Sequence, residues 1–162
     1  MLRTIHFFMV TVKPTVQDFL SARGDIRRAH LATLVLCHMA DYWALDAYEG
    51  DDRDMRECLE ELHKALADEC PEFLLIKEVA DASKHAQLLT HKKGMPRELS
   101  FSERIRRPSG FTDQFVEGKS DEATSVMATL LNGTTRPLAE AVQSVLFLWE
   151  KKLKEKRLSA LP

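Results

Sequence analysis

Cysteine is scarce in this chain, and none of the three present, Cys37, Cys58 and Cys70, belongs to a C-x-x-C pair. An odd, scattered set suggests neither a disulfide framework nor a zinc knuckle, so reduced core thiols are expected. Glycine and proline are thin, six of each in 162 residues. They are too dispersed to build a P-loop or a G-x-G-x-x-G turn, and no serine sits in a nucleophile elbow. Neither sign of charge is in excess, because 23 lysines and arginines face 25 aspartates and glutamates for a formal net charge of -2. The strong overall basicity of a dedicated nucleic-acid binder is therefore excluded, although a local basic patch is not. No apolar run approaches the roughly 20 residues of a membrane span, since His30, Thr33, His38 and Asp41 interrupt the longest. The run from Ile5 to Val12 leads into Lys13-Pro14 without a small-residue cleavage site, a poor signal peptide. A cytoplasmic protein with no membrane partner is expected.

What is present is the composition of one packed domain: 44% apolar and 30% charged residues over a length that can bury a core without staples. Ile5, Phe7, Phe8, Val10 and Val12 are β-branched or aromatic, which predicts a strand or extended arm. A short helix then runs from Pro14 to Gly24. Asp25 is placed to cap a long helix reaching about Tyr48, apolar on every side and hence surrounded by partners. Gly50-Asp51-Asp52 breaks it. A third helix carries Met55, Leu59, Leu62, Leu66 and Cys70 as one stripe, and Pro71 opens a fourth along Leu75, Val79, Ala82, Ala86 and Leu89. Periodicity fails from 91 to 122, where the chain is expected to be irregular and most open to proteolysis. Thr124 to Leu131 reads as extended, and Asn132-Gly133 signals a two-residue hairpin turn toward Arg136. Pro137 opens the last helix, with Leu138, Val142, Val145, Trp149 and Leu153 at helical spacing before a basic end. The expected fold class is mainly α, a single helical bundle of four to five helices with a small β-hairpin element.

Chemistry concentrates in two paired sets. His38 and Asp41 stand three apart on the long central helix opened by Asp25, and Asp81 and His85 four apart on the fourth helix, so each pair shares a helix face. Two imidazoles and two carboxylates would converge if these helices lie antiparallel. Three readings follow: mutual hydrogen bonding that locks helix register, a metal site, or a catalytic or ligand site. Packing is favoured, because neither pair matches a metalloenzyme motif, and no metal or other cofactor is assigned. Lys84, next to His85, is the cation placed to orient an anionic ligand.

His38-Met39-Ala40-Asp41-Tyr42-Trp43, Ala80-Asp81-Ala82-Ser83-Lys84-His85 and Leu131-Asn132-Gly133-Thr134, with Trp149 on the final helix, resemble segments of a group of uncharacterised bacterial helical-bundle proteins. Similar H-x-x-D-W and A-S-K-H segments mark that group, and here Tyr42 separates Asp41 from Trp43. The resemblance spans most of the chain and implies a helical bundle without assigning an activity. Arg56 and His63, like Arg23 and His30, also have the spacing found in HEPN-type ribonuclease bundles. That looser similarity implies a nuclease use of an Arg and a His on one helix face.

The aperiodic segment carries His91, Lys92, Lys93, Arg97, Arg104, Arg106 and Arg107 around Phe101. Basic side chains neutralise phosphates and an aromatic stacks on bases, which makes Arg104, Arg106 and Arg107 binding candidates. Asp113, Glu117, Asp121 and Glu122 follow at once, and an internally compensated loop is the favoured reading. The expected function is that of an interaction or accessory protein with a protein partner or self-association. A helical-bundle hydrolase or HEPN-like ribonuclease is the alternative.

Overall fold

The computed structural model describes residues 2–46, 48, 52–85, 99, 105–106 and 125–158. Helices dominate: α1 (Leu2–Phe7), a π-helical turn (Phe8–Val12), α2 (Lys13–Ser21), α3 (Ile26–Leu45), α4 (Asp52–Glu69), α5 (Glu72–His85) and α6 (Leu138–Leu158). Three short strands, β1 (Ile105–Arg106), β2 (Met127–Thr129) and β3 (Thr135–Pro137), form an antiparallel sheet in that order. The helical bundle with a small β element is thus what the chain forms. No helix among the described residues is long and apolar enough to cross a membrane.

The first departure from expectation is at the N-terminus, where the predicted strand is helical. Thr4, Phe8, Val12, Val16 and Phe19 are buried, a spacing of three to four that only a helix turns to one side. A strand would have put Val10 beside Phe8 and Val12, yet Val10 is 60% exposed. Tertiary contact has overridden β-propensity here. Pro14 explains the π turn before it. Its ring would crowd the carbonyl four residues back in a plain α-helix, and the widened turn, in which the Lys13 N–H donates to the Phe8 carbonyl, carries the chain past it, so that α1, the π turn and α2 follow one another as an N-terminal rod over Leu2–Ser21.

Asp25 does cap α3, its Oδ1 accepting the backbone N–H groups of Arg27 at 2.9 Å and Arg28 at 3.1 Å. Asp25→Ala should cost about 1 kcal/mol in urea unfolding; an unchanged midpoint would show that the bond contributes nothing. The α3 helix is central, packing on α1, the π turn, α2, α4, α5 and α6. Leu36, Met39, Phe19, Phe73 and Trp149 fill the space between them without measurable exposure. Glu78, buried on α5, accepts the Leu99 N–H at 2.7 Å.

The hairpin forms where Asn132-Gly133 placed it, with a longer turn than expected. Gly133 N–H donates to the Leu130 carbonyl at 3.0 Å and Leu130 N–H to the Thr134 carbonyl at 2.8 Å, which leaves three residues in the loop. Gly133 takes a φ of +85°, the left-handed conformation such a loop needs and glycine adopts without strain. Asn132 Oδ1 accepts from the Thr134 backbone and hydroxyl. Of the segment 91–122, only Leu99 and β1 are described. Ile105 of β1 pairs with Ala128, so this piece is a strand rather than irregular chain, and the rest, with Arg104 and Arg107, lies outside the described residues.

Candidate functional site

Two places in the fold concentrate chemistry, a polar seam between α3 and α5 and an apolar groove between the N-terminal rod and α6. Helix periodicity builds the seam. His38 Nε2 accepts from Lys84 Nζ at 3.1 Å, which assigns that imidazole its proton on Nδ1. Lys77 Nζ donates to Asp81 at 2.6 Å, one turn along α5. Asp41 is partly buried and bonds to no described residue. Burial pushes its carboxyl up, against the pull of His38 and Lys84. Cys37, buried beneath, is pushed up to about 12 by the same loss of solvent, so its thiolate is not accessible at neutral pH.

Farther along the seam His30 Nδ1 lies 2.5 Å from Ser83 Oγ. The single Ser83 proton goes to the Val79 carbonyl at 2.7 Å, so the imidazole is the donor to the serine oxygen. This orients His30 and does not activate Ser83, since a general base must accept the hydroxyl proton. His63 of α4 completes the region. Its Nε2 is buried, bonds to no described residue, and the ring tilts against Phe73 at 5.7 Å between centroids. Burial, aided by Lys77, holds this imidazole down to about 4.

His38, Asp41, Asp81 and His85 were expected to converge between two helices; α3 and α5 do pack together, but His38 bonds to Lys84, Asp81 to Lys77, and neither histidine bonds to an aspartate. His85 is exposed at the end of α5 and bonds to no described residue. Asp81 pairs back to Lys77 instead of forward to His85, because ammonium and carboxylate meet one turn apart on the same face. Among the described residues no group of three His, Cys, Asp or Glu is arranged to hold a metal ion. Arg56 is exposed while the His63 ring turns inward, and Arg23 precedes α3 while His30 is bonded to Ser83. Arg106 lies on the exposed side of β1.

The groove was not foreseen. Ile5, Phe8, Met9, Leu153 and Leu158 line a cleft of about 400 Å³, with Lys13, Glu150, Lys154 and Arg157 around it. No family model, curated protein or solved structure matches this chain. The groove must therefore be read from its own chemistry. Met9 at 57% and Leu158 at 61% are exposed at its mouth, and Phe147 at 59% lies on the face of α6 that also carries Lys154 and Leu158. Lys13 is paired with Glu150 at 3.4 Å, whereas Lys154 and Arg157 bond to no described residue. The only sequence signal was the basic end of α6, which reads equally as a favourable helix terminus.

Proposed function

We propose that this chain is a cytoplasmic interaction protein that binds a protein partner through the groove between its N-terminal rod and α6. The observation that carries this reading is that Met9 and Leu158, both largely exposed, line an apolar cleft of about 400 Å³. Scattered exposed apolar residues are ordinary, but exposed apolar residues that line one concavity are characteristic of binding surfaces. The π turn supports it, because it turns Met9 and Val10 outward, and such turns recur at functional sites. The seam supports it from the other side. Its bonds are of the structural kind: Lys84 to His38 and His30 to Ser83 join α3 to α5, and Lys77 to Asp81 lies within α5.

The alternative, a hydrolase or HEPN-like ribonuclease, would need an activated nucleophile or an Arg–His pair facing one substrate. Ser83 and Cys37 lack that activation, and Arg56 and His63 differ in exposure, so the binding reading is favoured. A photo-crosslinking side chain at Met9 or Leu158 should give one adduct of defined mass in cells, identified by mass spectrometry. The same side chain at Glu140, exposed near the other end of α6, should give none. Identical adducts from all three positions would contradict the proposal.

A further inference from the structure

Resting on the groove as the docking face, we infer that its occupant is an amphipathic helix of a partner protein, apolar on one side and flanked by carboxylates. The walls set the shape. The lining residues run from Ile5 to Lys13 on one side and from Glu150 to Leu158 on the other, roughly 12 Å of helix on each. Both walls are helical and present ridges of side chains, and a third helix packs into the furrow between such ridges. A length of about two turns accommodates anchors at i, i+3 or i+4, and i+7, the usual reading of a helix in a groove.

Charge sets the flanks. Glu150 is already matched by Lys13, so the rim has two cations, Lys154 and Arg157, with no partner among the described residues. The other lysines of this basic helix end are engaged: Lys151 and Lys152 with Glu69, and Lys156 with Asp46 and over the Trp43 ring. Among the described residues, the cations of this helix end that have no partner are thus the two at the groove. Carboxylates of an occupant would pair with them and suppress cationic competitors. A second copy of this chain does not supply such an element from α4, the acidic amphipathic helix, because Leu66 and Cys70 are buried and Leu59 and Leu62 pack on the core. An anionic bilayer would match the charge, but a concave cleft fits a row of side chains better than a flat surface.

The test uses the full chain and designed helical peptides of about sixteen residues, long enough to hold helical structure once bound. One peptide carries leucines at i, i+4, i+7 and i+11 between glutamates. A second keeps the leucines between lysines, and anionic phospholipid vesicles form a third arm. Fluorescence anisotropy should show the acidic peptide binding about tenfold more tightly than the basic one, more weakly at high salt, with amide shifts confined to 5–13 and 150–158. Lys154→Glu with Arg157→Glu should reverse the preference, while thermal unfolding confirms that this exposed pair leaves the fold intact. Equal binding of both peptides, binding of neither, or binding to vesicles alone would each overturn the inference. If the peptides fail while crosslinks from Met9 and Leu158 persist, the partner class is wrong and the docking face stands. If those crosslinks are absent, the docking face itself falls.

Discussion

Replacing Trp149 by alanine should lower the free energy of unfolding by about 3–5 kcal/mol, the cost of truncating a large aromatic side chain in a closed core. Trp149 has no measurable exposure. Its indole Nε1–H donates to the Leu36 carbonyl at 3.2 Å, and its ring meets that of Trp43 at 5.8 Å. The side chain thus joins α6 to the middle of α3, the helix on which the rest of the bundle packs. Because domains are stable by only about 5–15 kcal/mol, the alanine variant should be near the limit of folding. Trp149→Phe keeps much of the packing and loses the indole bond, so its loss should be smaller. Urea unfolding of both variants measures the difference, and an alanine variant within about 1 kcal/mol of the parent would contradict this account of the core.

A second large effect is expected on acidification. The His63 imidazole is held down to about 4 in the folded chain, from 6.5, chiefly by burial. Between those values the unfolded chain binds the proton and the folded chain does not, so stability rises with pH across that window and falls as pH drops through it. Allowing for the partly exposed ring, the loss from pH 7 to pH 4 should be about 2 kcal/mol. His30, lowered by burial, acts in the same direction. Asp41, raised by burial, acts in the opposite direction at the acid end of the window, where the folded form holds its proton more readily. His63→Leu should therefore flatten the profile most clearly between about pH 5 and 6.5, and should add stability at pH 5 by removing a buried nitrogen that lacks a partner. Parallel profiles for parent and variant would place the acid sensitivity elsewhere.

The sequence was most legible where one local rule acted alone. The α6 stripe from Leu138 to Leu153 is buried as its period required, Asp25 caps α3, and Gly133 turns the hairpin. It was least legible where rules competed. The segment from Ile5 to Val12 has strand-like composition, and contact with α3 decided for helix. β1 has only two residues, below the length at which alternation can be recognised. His38 and Asp41 were legible as an i, i+3 pair, whereas the engagement of Asp81 by Lys77 was a choice between two neighbours one turn away. His63 was noted for its spacing from Arg56, but its burial depends on how α4 meets α5. The groove was illegible for a simpler reason. Its walls are some 140 residues apart in the chain, and a cleft between distant elements leaves no periodic trace.

The central claim, that the groove rather than the polar seam carries function, is tested most directly by crosslinking from position 9 in three backgrounds. One is otherwise unchanged, one carries Leu158→Glu, and one carries His38→Ala with Asp41→Ala. Leu158 is 61% exposed, so a glutamate there alters the groove mouth without entering the core. The account predicts that the adduct disappears in the Leu158→Glu background and persists when the seam is altered. An adduct that survives Leu158→Glu and is lost with His38 and Asp41 would contradict it.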